Sequence, residues 1–410
     1  MAKIRYILLF FCALATLQCV QFSPDGNPEY LPLDDSEYPY ANLPRLVIET
    51  ENFREIRDKE TKIPAKLQIY GKSAPESEVL DLTVKGRGNS SFVMTKYSIK
   101  LDFDSKISLF GMPKNKDWNL ISNFRDKSHL RNFITFQLAE LLGGDYVPRS
   151  TFVEVFFNRK YLGLYLLTES VKVGKERVNI SQTDSSFLIE KTTRQNAKGP
   201  LFTTNRKYLF RIRYPKEPSA ASIHLVQNHL NAFEQYLADS SFSKNNPLEK
   251  WIDVENFIRY YWIHELAKNK DGAFERSVFA TWEKGGIIRM GPIWDFDLAY
   301  GLWNEEKSPP SEWHIAKSGW TGLLMGHESY RLLVKSYWKN HREKFQSILQ
   351  FIEQDAPIIA KAVRNDEKRW PILENDETWP FVDSYPDYPS AVDSLKSWIS
   401  KRLAWIDENL

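Results

Sequence analysis

Asp295 and Asp297 lie two residues apart in Gly291-Pro292-Ile293-Trp294-Asp295-Phe296-Asp297-Leu298-Ala299-Tyr300-Gly301. In extended backbone, alternate side chains share a face. That spacing predicts both acids on one side, with Trp294, Phe296 and Leu298 on the other. Adjacent carboxylates repel unless a cation lies between them. A hard oxygen pair of this kind suits Mg²⁺ or Mn²⁺, with phosphate supplying further ligands. Solvated turns carry the same spacing, but the bracketing Gly and Pro and the bulky apolar neighbours set this pair against packed protein.

A third acid, Asp271, follows the helical pattern from Val254 to Asn269, with Gly272 behind it. A carboxylate at a helix exit is opposed by the helix dipole. A role other than capping is therefore the expectation: a general base taking a proton from a hydroxyl, or else an ordinary loop acid. On the cationic side, Lys85-Gly86-Arg87-Gly88-Asn89-Ser90-Ser91 falls between two strand patterns. Its glycines would open backbone N–H groups to phosphate and Arg87 would add a forked donor; a plain hairpin loop is the alternative. Lys100 is on the polar face of the strand Tyr97 to Phe103. If that face lines a cleft, Lys100 could hold a polyphosphate, positioned by a buried carboxylate such as Glu169 or Glu140; otherwise it is a solvent-facing lysine.

The elements that must position these groups fall into two runs. From Leu46 to about Tyr214, short apolar alternations predict strands, among them Ala65–Tyr70, Leu80–Val84, Tyr97–Phe103, Thr151–Phe157 and Tyr161–Leu167. Asn158-Arg159-Lys160 reads as a hairpin turn. One helix, Ser128 to Leu142, interrupts them, capped by Asp126 or Ser128 and ended by Gly143-Gly144. After about Ala220, helical stripes dominate: Ile223–Ala238, Val254–Asn269, Tyr330–Phe351, Pro357–Val363 and Val392–Glu408. A hairpin, Val278–Trp282 with Ile287–Met290, lies inside this run. Strands first and helices later is an α+β order.

Lys3 and Arg5 precede an apolar run, Ile7 to Leu17, that is shorter than the roughly 20 residues of a membrane span. This predicts a secretory signal over 1–19. Cys12 and Cys19 are the only cysteines, so the expected mature domain has no disulfide. Cys19 resembles a bacterial lipoprotein acceptor that would carry a lipid, although Gln18 stands where a small residue is usual; plain secretion is the alternative. The segment 20–43, rich in Pro, Asp and Tyr, reads as a tether. The remaining stretch, 44–410, is long enough for two lobes, about 44–215 and about 216–410. With 55 Lys+Arg against 53 Asp+Glu, the formal charge is +2, which excludes a strongly basic nucleic-acid binder.

A helix end carrying an acid, then a hairpin, then a metal-binding acid is the layout of phosphoryl-transfer kinases. Several blocks in order strengthen it. They are Arg87-Gly88-Asn89-Ser90 with Lys96–Asp102, Asp117–Ile121 with Asp126–Asn132, and Val153–Asn158 with Tyr161–Tyr165. Glu169, Glu265–Asp271, Gly291–Gly301 and the closing Arg364-Asn365, Trp370 and Trp398 complete them. Together these resemble the spore-coat protein H (CotH) kinase family from about Leu46 onward. The resemblance implies an α+β, bilobal protein-kinase-like fold, with a mostly β N-terminal lobe and a mostly α C-terminal lobe. It implies transfer of the ATP γ-phosphate to Ser or Thr of extracytoplasmic proteins, with Mg²⁺ or Mn²⁺. Carried over by position, Asp271 matches the catalytic aspartate and Asp295 the metal-binding aspartate. Asp297 is a second metal acid or a structural one, and Lys100, Arg87 and Glu169 are phosphate-side candidates. The expected setting is the cell surface, the periplasm or secretion, with membrane contact only through a lipid at Cys19.

One departure stands out. Kinase catalytic loops carry a metal-binding Asn about five residues after the Asp; here Arg276 and Ser277 occupy that place. A pseudokinase or adhesin-like binding protein of the same fold is therefore the alternative. A glycan-directed enzyme using paired acids would leave Arg87 and Lys100 unexplained.

Overall fold

The computed structural model describes residues 33, 35–72, 76–89, 91–239, 247–302, 304–374 and 382–410. The apolar leader, Cys12, Cys19 and most of the expected tether lie outside these residues. Within 35–43, Asp35 pairs with Arg45 at 2.8 Å and Tyr38 stacks on Tyr161 at 4.3 Å. Asn365 donates to the Pro39 carbonyl at 2.8 Å, so this stretch is held against the domain.

The alternating patterns of the first half form β1 (Arg45–Thr50), β2 (Ile63–Tyr70), β3 (Leu80–Arg87), β4 (Ser98–Ile107), β5 (Asn115–Ile121), β6 (Ser150–Phe157) and β7 (Lys160–Glu169). They close into a barrel in the order β1-β2-β3-β4-β5-β7-β6. Closure comes from β1 pairing in parallel with β6 while every other neighbour is antiparallel. Closure removes the exposed edges a sheet would otherwise leave. Val84, Ile99, Leu101, Trp118, Leu120, Val155 and Leu167 fill the interior, so the alternate residues Arg87, Lys100 and Asp117 face outward. Asn158 and Arg159 turn β6 into β7 with φ of 50° and 67°, the positive pair that matches strand twist.

Five more strands make a second sheet, β8 (Ser186–Lys191), β9 (Leu201–Thr203), β10 (Leu209–Tyr214), β11 (Val278–Glu283) and β12 (Arg289–Met290), ordered β12-β11-β8-β10-β9. The helices are α1 (Arg131–Leu141), α2 (Ala220–Ala238), α3 (Val254–Ala267), α4 (Asn304–Lys307), α5 (Gly319–Met325), α6 (Glu328–Arg369) and α7 (Tyr388–Asn409).

This architecture corrects the bilobal kinase-like expectation; α+β describes the chain only loosely. A closed barrel, a separate sheet and the helices replace an open N-terminal sheet set above a helical lobe. The reason lies in the outer face of the barrel. Phe152, Leu164 and Leu166 point out of the wall and join the largest apolar cluster, together with Leu130 of the turn before α1, Phe345 of α6 and Leu403 of α7. The second sheet mixes the two halves as well, because β8 pairs along its length with β11. Burial of this shared apolar surface, at roughly 25 cal/mol per Å², opposes separation into two lobes.

The expected break before Pro357 is also absent. Proline removes one ladder hydrogen bond, yet α6 runs for 42 residues straight through it. Phe345, Ile348, Ile352, Ala356, Ile359 and Val363 continue one buried stripe across that point, and the packing outweighs the missing bond. No described helix is long and apolar enough to cross a membrane.

Candidate active site

The acids sit on two loops pressed together. α3 ends at Ala267, and Lys268 caps it in the left-handed region at φ 43°. The chain then turns through Asn269 to Asp271, whose carbonyl accepts from the N–H groups of Glu275 and Arg276, both at 3.1 Å. Gly272 lies so close to His264 that an added Cβ would fall 2.1 Å from its Nδ1, which is why no side chain is possible there. The second loop follows β12. Tyr300 N–H bonds the Ala267 carbonyl at 2.7 Å, closing the two loops on each other.

α1 fixes the second loop from the other side. Asn132 accepts from Phe296 N–H at 2.8 Å. Arg131 donates to the carbonyls of Ala299 at 2.9 Å and Tyr300 at 3.3 Å, and is itself paired with buried Asp126. Phe296 is fully buried, and Trp294 stacks near Phe136 at 6.1 Å.

The stretch is not a strand, contrary to the simple alternation argument. Asp295 has φ 68°, beside Ser277 at 54° and Tyr300 at 51°. Non-glycine residues held there cost on the order of 1–3 kcal/mol each and persist only where neighbours enforce them. Those neighbours are visible: Asn269 Nδ2 donates to the Asp295 carbonyl at 3.1 Å, and Ser277 Oγ donates to Asp295 Oδ2 at 2.9 Å.

This bend still brings the two acids together. Burial, then the charge of Asp295 and a hydrogen bond to it, push the Asp297 carboxyl well above its ordinary range. Two carboxyls this close cannot both ionise without help. Burial, with Asp295 adding to it, lifts Asp271 to about 6, while Arg276 and Arg194 pull it back. Arg125 feels the charges of Asp297, Asp271 and Asp295, against the burial that lowers its own pKa. Arg87 does the same from the barrel wall, opposed by burial and aided by Asp295 and Asp297, and its guanidinium lies 5.5 Å from the Trp294 ring. Three acids are thus surrounded by guanidinium groups from four separate segments.

The other phosphate-side expectations fare differently. Arg87 belongs to β3, not to a glycine loop. Gly86 N–H is taken by the Asp58 carbonyl at 3.0 Å, and Phe92 fills the space where a Cβ would stand. Lys100 faces outward near Arg87, and burial lowers it to about 8 against the pull of Asp117 and Asp102. Its partners are Ser170 at 2.7 Å, Asp117 at 3.3 Å and Asp102 at 3.6 Å. Glu169 is not its positioning carboxylate. Fully buried, Glu169 takes Arg149 at 3.1 Å, Arg177 at 3.6 Å and the Tyr146 hydroxyl at 3.2 Å. Glu140 is exposed on α1.

Among the described residues, no group of three or more His, Cys, Asp or Glu is gathered to hold a metal by itself. The donor set nevertheless fits a hard divalent cation. Two hydrogen-bonded acids, one with its carboxyl pushed up by burial and by the other's charge, would both ionise beside a cation whose remaining ligands came from phosphate and water.

The pattern of the family described as CotH kinase protein matches residues 84–406. The chain belongs to that family. No curated protein matches it. Membership carries a kinase-like function in general, and with it the general requirement of kinases for ATP and a divalent metal. Asp271, Asp295, Asp297 and Arg87 are the expected residues that the fold brings together. Arg125 and Asn269 have no separate role in the sequence reading, Ser277 enters it only beside Arg276, and Asn132 only within Asp126–Asn132. Ser277 and Asn269 flank Asp271 and could have been found as loop polar groups, whereas nothing local links Arg125 or Asn132 to acids more than a hundred positions away.

Proposed function

We propose that this protein is a metal-dependent phosphotransferase that moves the γ-phosphoryl group of ATP to a Ser or Thr hydroxyl of extracytoplasmic proteins. The observation carrying this reading is the arrangement of Asp271 beside the Asp295–Asp297 pair, facing Arg87 and Arg125. Asp295 and Asp297 would hold Mg²⁺ or Mn²⁺, which supplies charge neutralisation on the transferring phosphoryl group when bound. Arg87, with Lys100 behind it, stabilises phosphate oxygens from the barrel side. Asp271 accepts the acceptor hydroxyl proton as the new O–P bond forms and the bond to ADP breaks. The fixed loops keep these groups in place before substrate arrives, which is where electrostatic catalysis gains most. The leader and Cys19 support export and a lipid anchor as part of the same proposal.

Arg276 favours a second reading, nucleotide binding without transfer. No side-chain amide stands where a kinase loop has one, and Arg276 itself turns aside to Thr193 at 3.3 Å. Labelled-ATP transfer and calorimetric ATP binding, each with Mg²⁺ or Mn²⁺, separate the two. The expected result is transfer by the parent, binding without transfer by Asp271→Asn, and loss of metal-dependent binding in Asp295→Asn. Binding without any transfer by the parent gives the second reading; neither binding nor transfer removes both.

A further inference from the structure

A cavity of about 280 Å³ opens among the turn after α1, the 177–180 segment, α3 and the β11–β12 hairpin, and none of the acid-site residues lines it. Its walls are largely apolar, including Val147, Ile180, Ile263 and Ile293. Its charges are cationic in sum, with Arg177, Arg259 and Arg289 set against Asp145. Asp145 is shared by Arg259 at 3.3 Å and Arg289 at 2.7 Å.

Two buried polar side chains on this lining each keep an atom without a hydrogen-bond partner. Arg177, 3% exposed, uses Nη1 on the Ser170 carbonyl at 2.8 Å and pairs through Nε with Glu169 at 3.6 Å, while its Nη2 makes no hydrogen bond. The Tyr260 hydroxyl, on a side chain 6% exposed, also has none. Unmet groups of this kind carry an uncompensated desolvation cost, and buried polar groups are otherwise satisfied almost without exception. A guanidinium N–H and a phenol on an apolar cavity match one ligand chemistry: a carboxylate that accepts from both, attached to an apolar body that fills the rest.

We propose that this cavity binds a small organic carboxylate with an aromatic or branched aliphatic body. Met290 to Ile293 form one wall and continue directly into Trp294 and Asp295, so the cavity adjoins the chain that leads to the acids.

The test uses 4-fluorophenylacetate and its neutral counterpart 4-fluorophenylacetamide as fluorine NMR probes on the full chain. The acid is expected to bind, and the amide at least about tenfold more weakly, since only the acid carries the charge-assisted bonds. Tyr260→Phe should weaken the acid several-fold, and Ile180→Trp, which fills the cavity, should abolish its binding. Tyr260→Phe removes one oxygen and no apolar contact, so it decides the matter even if Ile180→Trp loses the fold. No binding of the acid to folded parent overturns the proposal. Equal binding of acid and amide overturns it too, as does an affinity unchanged by Tyr260→Phe.

Discussion

Lys100 and Asp297 are both half-buried ionisable groups close to Arg87, and their surroundings are opposite in kind. Lys100 stands on a regular strand and has two carboxylates and a hydroxyl around it. Asp297 stands on a bent loop whose nearest carboxylate neighbour is another acid, with a third acid beyond. Glu169 extends the first pattern: it is buried but enclosed by two arginines and a tyrosine. The barrel wall therefore satisfies its own charges, whereas the acid loops leave theirs in conflict and hold strained backbone to do so. Unrelieved conflict that the fold maintains marks a place where a ligand is meant to bring the compensation.

The largest expected effect breaks the conflicted side. Asp295→Asn should lower phosphotransfer on the order of 1,000-fold, as loss of a transition-state charge contact does. The same change removes one of two repelling acids, so the melting temperature should stay level or rise. A variant that loses activity and stability together would mean that Asp295 serves the fold.

Glu169→Gln attacks the satisfied side and should do the reverse. Removing the one acid of this buried cluster leaves Arg177 uncompensated, which costs about 4 kcal/mol. Urea melts measure that loss. ATP affinity, read below the unfolding transition, should remain that of the parent. Weakened ATP binding in folded protein would bring Glu169 back into the site.

How far the sequence carried these assignments follows the same divide. That Asp271, Asp295 and Asp297 would meet was legible because they lie in two short stretches with unusual neighbours. The strands were legible too, since Val84, Ile99 and Leu101 alternate with Arg87 and Lys100. Closure of the barrel was not, because it depends on β1 meeting β6 a hundred residues later, and no local pattern records that pairing. The partner of Lys100 was misassigned for a related reason. Glu169 follows the parity of Tyr165 and Leu167, which places it on the barrel-interior side, while Asp117 lies outward beside Lys100. The run through Pro357 was missed because one weak local signal was set against a stripe of burial visible only in three dimensions.

A third test sits where the barrel meets α6. Buried His129 is lowered to about 4 by burial, with Lys96 adding to the effect and Asp366 and Asp126 opposing it. Lys96 and Asp366 are themselves paired at 2.7 Å. The folded protein keeps this imidazole neutral down to about pH 4, while the unfolded chain takes up a proton near 6.5. Between those values the unfolded state binds more protons, so stability falls as pH falls, by on the order of 3 kcal/mol at full effect. His264, lowered to about 3, and His229, lowered to about 4, act with the same sign. His129→Asn keeps a residue that tolerates φ 59° and should flatten part of the slope in urea melts from pH 6.5 to 4. Superimposable slopes in parent and variant would exclude His129 as a contributor.

Arg276 gives the smallest expected effect and the sharpest reading of the acid side. Its guanidinium is exposed and tied to Thr193, yet its charge reaches Asp271. An exposed charge acts through water and salt, where pairwise effects stay below about 1 kcal/mol. Arg276→Asn should therefore move the Mn²⁺ dependence of ATP binding less than about threefold, and raised salt should erase even that difference. Ser277, already bonded to Asp295, would then be the polar group of this loop that meets the metal side. A shift of tenfold or more that survives high salt would place Arg276 against the phosphates and make the arginine a working substitute for the missing amide.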